Sequence, residues 1–121
     1  MLDEATKGRL RQQLEEQRQQ LTAELEDQRR EVKEMTADEA EENPMSNHYD
    51  DLGTDLEEIG RIRAMQENAQ ILLDDVERAL KRMDEGTYGI SEVSGKDIPL
   101  ERLEAIPYAT RLVEEEAAAE A

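Results

Sequence analysis

The residues best placed to do chemistry are carboxylates. Between Lys33 and Arg61 the chain carries Glu34, Asp38, Glu39, Glu41, Glu42, Asp50, Asp51, Asp55, Glu57 and Glu58, with no lysine or arginine among them. Asp50 and Asp51 are adjacent, and Asp55 lies four residues on from Asp51. Such a cluster suits insertion into a basic channel, or approach to a metal ion held by a partner. The bland alternative is a solvated turn that keeps the chain soluble. A calcium loop does not fit, because the alternating oxygen ligands, central glycine and terminal glutamate of an EF-hand are missing. His48 shares the segment and is the sole histidine. With no second ligand at metal spacing and no nucleophile beside it, it reads as an ordinary turn residue, neither metal ligand nor general base. Tyr49 either offers a contact to a partner or closes the turn, and both readings stand.

The rest of the composition narrows the function classes. The 121 residues carry 32 Asp and Glu against 15 Lys and Arg, a net charge of −17. Phosphate backbones repel such a chain, so direct DNA binding is not expected and a protein with a basic surface is the expected partner. There is no cysteine, so no disulfide and no thiolate metal site can form. One histidine and no glycine-rich phosphate loop leave little from which to build a catalytic site, so no enzyme is expected. No apolar run approaches the ~20 residues that span a bilayer, and the start has no basic and apolar leader pattern, so a cytoplasmic location is expected.

The elements that must position the acidic segment are helices. Aromatic residues are only 2% of the chain and charged residues 39%, which suits long helices with a thin apolar seam better than a thick core. Residues 3 to about 42 read as one helix. Leu10, Leu21 and Val32 are spaced by eleven, as are Leu14 and Leu25, so the stripe runs nearly straight along it. At about 1.5 Å per residue such a helix is roughly 60 Å long. Asn43-Pro44 should end it. A turn is expected over 43–53, with Thr54 as N-cap and Glu57 as its capping-box partner for a second helix over about 55–84. There Ile62, Met65, Ala69, Leu72, Val76, Ala79 and Met83 read as a heptad seam widened by Leu73 and Leu80. Two long helices and a short turn predict an antiparallel hairpin over 1–85, with the acidic tip at about 43–54. A hairpin satisfies its own seam, so a monomer is expected.

Residues 86–121 change character. Gly86, Gly89 and Gly95, with Pro99 and Pro107, punctuate a stretch dense in apolar residues. It reads as a small module of turns, two short strands and a helix, followed by a C-terminal segment that extends as a helix or frays.

The segment from Gly86 to Thr110 resembles the C-terminal module of the DksA/TraR family. The family pattern is G-x-Y-G-x-C-x-x-C-G-x-x-I, then R-L-x-A-x-P-x-A, then C-x-x-C. Gly86, Tyr88, Gly89, Gly95 and Ile98 match the first part, and Arg102, Leu103, Ala105, Pro107 and Ala109 the second. The four cysteine positions hold Ser91, Ser94, Leu112 and Glu115, so the tetrahedral zinc site of the pattern cannot form. Leu112 can fill the vacated space with apolar contact. The resemblance therefore implies a mostly α fold: an antiparallel coiled-coil hairpin, a degenerate zinc-finger-like module without zinc, and a C-terminal helix.

What the resemblance implies about function is specific. Such proteins bind bacterial RNA polymerase, reach the catalytic centre through its secondary channel with the coiled-coil tip, and grip the outside with module and C-terminal helix. The outcome is transcription regulation, often with a nucleotide alarmone. The tip pattern D-x-x-D-x-A places its second aspartate on Asp51, its first on His48 and its alanine on Gly53. Only Asp51 matches, while Asp50 and Asp55 lie close by, so Asp50, Asp51, Asp55 and His48 are the expected partner-binding residues. The Asp-Leu-Gly-Thr sequence at the tip looks more like the branch of Gram-positive stress and sporulation proteins, so the resemblance implies polymerase binding and leaves alarmone dependence open. The alternative function is a structural or adaptor coiled-coil stress protein that does not act on the polymerase.

Overall fold

The computed structural model describes the backbone of residues 2–41 and 49–120, and the side chains of residues 2–36 and 56–120. Four helices follow in order: α1 (Glu4–Glu41), α2 (Tyr49–Glu85), α3 (Leu100–Ala105) and α4 (Val113–Glu120). The fold is mostly α, as expected. Among the described residues the two expected short strands reduce to a single antiparallel bridge between Ile90 and Asp97. No helix among them is long and apolar enough to cross a membrane. The chain divides into two compact units, one of Met1–Gln20 with Leu73–Ala121 and one of Leu21–Leu72.

α1 starts where a cap dictates. The Asp3 carboxylate accepts the Thr6 N–H at 2.7 Å, satisfying one of the donors a helix start leaves free. The Thr6 hydroxyl first, and then that backbone bond, hold the Asp3 carboxyl below its ordinary range. α1 then runs for 38 residues, close to the expected span.

α2 departs from expectation at its start. It begins at Tyr49, so Thr54 lies inside the helix and is not its N-cap. Gly53 is the poorest helix former in this stretch, and an interior glycine costs only about 1 kcal/mol. Aspartates at positions 50 and 51 fall in the first turn, where the helix dipole favours negative charge. The end of α2 is as the sequence implies. Gly86 takes φ +79°, its N–H donates to Met83 O at 3.3 Å, and the Thr87 N–H donates to Arg82 O at 2.9 Å. That pair of bonds is a Schellman cap, which needs a left-handed residue at Gly86.

In the unit of 1–20 and 73–121, Leu10 and Leu14 of α1 are fully buried, as are Val76 of α2 and Leu103 of α3. Each such side chain contributes about 1.5–3 kcal/mol through removal from water. Arg11 links α1 to the end of α2 by donating to Asp84 at 3.0 Å, so the start of α1 lies beside the end of α2. Ala79, Leu80, Tyr88, Ile98 and Ala109 complete the core. The Tyr88 hydroxyl donates to Pro107 O at 2.7 Å, and burial pushes its pKa up to about 12. Arg82 donates to the carbonyls of Thr87 and Ile90, fixing the turn that follows α2. Gly89 has φ +85°, and a Cβ there would meet Leu2 Cδ1 at 3.1 Å. Strain and crowding together explain the second glycine of the Gly-Thr-Tyr-Gly run.

In the unit of 21–72, Leu21 and Leu25 of α1 and Ile59, Ile62 and Ala69 of α2 are buried. Arg61 pairs with Glu58 one turn earlier and feels the charge of Glu31 on α1, so this stretch of α2 lies beside α1. Met65, placed on the seam by the sequence reading, is 46% exposed. The seam position belongs to Gln66, which is half-buried.

Candidate functional site

Two groups of residues were singled out by sequence: the acidic tip and the four positions where the family pattern has cysteine. Asp50, Asp51 and Asp55 belong to α2, in its first two turns. Their side chains lie outside the described residues, and so does the whole of His48.

The other four positions are described in full, and the fold connects them. Ser91 is buried, at 4% exposure, and opens a tight turn. Its N–H donates to Lys96 O at 2.8 Å, and its carbonyl accepts the Gly95 N–H at 3.0 Å. The Ser91 Oγ accepts the N–H groups of Val93 at 3.1 Å and Ser94 at 3.2 Å. Its hydroxyl hydrogen goes to Glu115 Oε1 at 2.5 Å. The same Oε1 accepts the Leu112 N–H at 2.8 Å. Glu115 is the third residue of α4, so the bond to Leu112 caps that helix in the manner of a capping-box glutamate. The Ser91 hydroxyl, then the Leu112 N–H, then the Ser94 side chain hold the Glu115 carboxyl below its usual range.

Neighbouring bonds hold the approach to α4. The Glu92 N–H donates to Thr110 O at 2.9 Å, and Arg111 Nε donates to Glu92 Oε1 at 2.9 Å. Arg102 Nε donates to Arg111 O at 2.7 Å. The Arg111 guanidinium keeps the Glu92 carboxyl low. Asp75 of α2 is shifted the other way. Burial first, then Asp74, Glu116 and Glu92, push its carboxyl up against the opposing pull of Arg78.

Comparison with known proteins bears on these residues. The chain is 42% identical over 89 residues to general stress protein 16O of Bacillus subtilis, covering 73% of this chain and 55% of that one. It is 50% identical over 68 residues to the protein YteA of the same organism, covering 56% and 28%. It thus spans about half the length of the first of these relatives and little more than a quarter of the second. No protein-family model matches. Identity to the RNA polymerase-binding transcription factor DksA of Caulobacter vibrioides is 34% over 104 residues, which are 84% of this chain and 72% of that one. The chain belongs to the DksA/TraR family. In structure it is similar to the transcription factor DksA2 of Pseudomonas aeruginosa, with a TM-score of 0.79, 30% identity, and coverage of 98% of this chain and 85% of that chain.

Family membership raises the question of zinc, and the donor set answers it. Both lone pairs of Ser91 Oγ are engaged by backbone N–H groups and its hydrogen by Glu115, so no lone pair is left for a metal. Leu112 has no side-chain donor atom. The residues present in this DksA/TraR chain do not fit zinc. Leu112 is half-buried, and its contribution to this cluster is its backbone N–H. The central group is the Glu115 carboxylate, which the sequence reading treated only as a lost ligand. The signal was present: a glutamate three residues after a helix-starting position, with a Ser-x-x-Ser turn to supply hydroxyls.

Proposed function

We propose that this chain is a non-enzymatic transcription regulator that binds bacterial RNA polymerase and presents its acidic tip to the secondary channel. The observation that carries the reading is the 34% identity, over 84% of the chain, to a protein that bears the name RNA polymerase-binding transcription factor. The charge pattern supports it independently. A net charge of −17, with ten carboxylates between Lys33 and Arg61, suits a basic channel and disfavours DNA itself. In this reading residues 1–85 form the reaching part and residues 86–121 the gripping part. Asp50, Asp51 and Asp55, with His48 before them, meet the partner, and no metal is needed in the module. The chain acts in the cytoplasm as a monomer.

Transcription by purified polymerase tests the tip. Asp51→Ala is expected to abolish the effect on transcript yield while leaving polymerase affinity within about twofold, because one peripheral carboxylate contributes little to binding. An unchanged effect at every responsive promoter would remove the tip mechanism. General stress protein 16O keeps the adaptor reading in view. That reading requires that the chain bring down another partner, or only itself, and no polymerase.

A further inference from the structure

We propose that Glu115 replaces the family's metal as the cross-link that positions the C-terminal helix: its carboxylate ties α4 to the 91–95 turn. A structural zinc joins two chain segments by ligands from each. Here the same two segments are joined by one oxygen. Glu115 Oε1 takes the Ser91 hydroxyl from the turn at 2.5 Å and the Leu112 N–H from the start of α4 at 2.8 Å. Ser91 keeps the bonds that shape its turn, accepting from Val93 and Ser94. The turn therefore needs no metal to hold its form. The negative charge that thiolates would supply is supplied by the carboxylate. Hydrogen bonds to an ionised acceptor are about twice as strong as neutral ones, and the Ser91 end of the link is buried.

Ordinary helix capping explains only half of this arrangement. A glutamate at the third position of α4 caps Leu112 whether or not anything else is near. It does not require a buried serine 24 residues earlier to spend its only hydrogen on the same oxygen. α4 has no buried residue of its own, so apolar packing does little to hold it. Upstream, the Glu92–Arg111 pair and the Arg102 bond to Arg111 O fix the chain up to residue 111. The link at Glu115 is what continues that order into the helix. The consequence for the partner rests on the function proposed above: a released α4 no longer offers a fixed surface to the polymerase.

Hydrogen–deuterium exchange on the full chain, with affinity for RNA polymerase core measured in parallel, tests the proposal. Glu115→Ala and Ser91→Ala should each lower protection over residues 112–120 by about tenfold, the equivalent of about 1.4 kcal/mol, with α1 and α2 unchanged. Glu115→Gln keeps an acceptor oxygen for both donors and should recover most of the protection. Added zinc or chelator should change none of these profiles. The decisive variant is Ser91→Ala, which leaves the α4 cap intact. If it leaves residues 112–120 as protected as the wild type while Glu115→Ala does not, Glu115 is a cap alone and the proposal is overturned. Loss of polymerase affinity in parallel with loss of protection extends the result to function. Wild-type protein that fails to bind polymerase defeats the function proposed above, and the exchange profiles still decide the cross-link.

Discussion

Asp75 is a carboxylate that works against the fold around it. Burial raises its pKa, and Asp74, Glu116 and Glu92 add repulsion that Arg78 does not cancel. A raised acid binds its proton more tightly in the native state than in the unfolded chain, so stability falls as pH rises through its titration. The burden is absent below the ordinary aspartate range and complete above the raised value. Asp75→Asn should therefore melt at a higher temperature than the wild type at pH 7, and the gain should vanish by about pH 3, below the ordinary aspartate pKa. Thermal melts of both proteins across that range check it. No gain at pH 7, or a gain that persists in acid, contradicts the assignment. Glu115 and Glu92 have the opposite sign, since both are held low by donors. Their contribution is lost only as pH falls below the ordinary glutamate range, and it cancels in the comparison.

Among the elements, the two long helices were legible and their finer register was not. The eleven-residue spacing of Leu10, Leu21 and Val32 marked α1 because a repeat near the helical period leaves an unbroken stripe. In α2 the apolar alphabet misled. Among the described side chains of α2 the buried apolar positions are Ile59, Ile62, Ala69, Leu73, Val76, Ala79 and Leu80, and steps of three and four from Ile62 pass through Gln66. A glutamine on the seam breaks an apolar reading, which then slides to Met65 one residue earlier. Gln17 and Gln28 do the same on α1, since both extend the leucine stripe and their side-chain oxygens are buried. Substitution separates the two assignments in α2. Ile62→Ala should cost about 2–5 kcal/mol, and Met65→Ala should stay within about 0.5 kcal/mol, both read from denaturant unfolding. Equal costs would return Met65 to the seam. The early start of α2 at Tyr49 was hidden for a related reason. Thr54 and Glu57 spell a good cap, and a cap signature says where a helix can begin, not that it must. In the module, glycine and tyrosine positions were legible as a pattern, whereas the Ser91–Glu115 link spans 24 residues and has no local period to reveal it.

For the molecule as a whole, charge and family point the same way. A net charge of −17 on 121 residues favours encounter with a basic protein surface and makes that encounter sensitive to salt. Membership of the DksA/TraR family rests on identity across most of the chain and on similarity of fold to DksA2. The zinc of the family pattern gives way to an internal carboxylate, so partner binding should not depend on metal supply. The most direct test of the account is the affinity of the purified chain for bacterial RNA polymerase core at physiological salt, with and without a known secondary-channel factor as competitor. The account predicts binding that weakens with added salt and is displaced by the competitor. Absence of binding, or tight binding that the competitor leaves untouched, would contradict it.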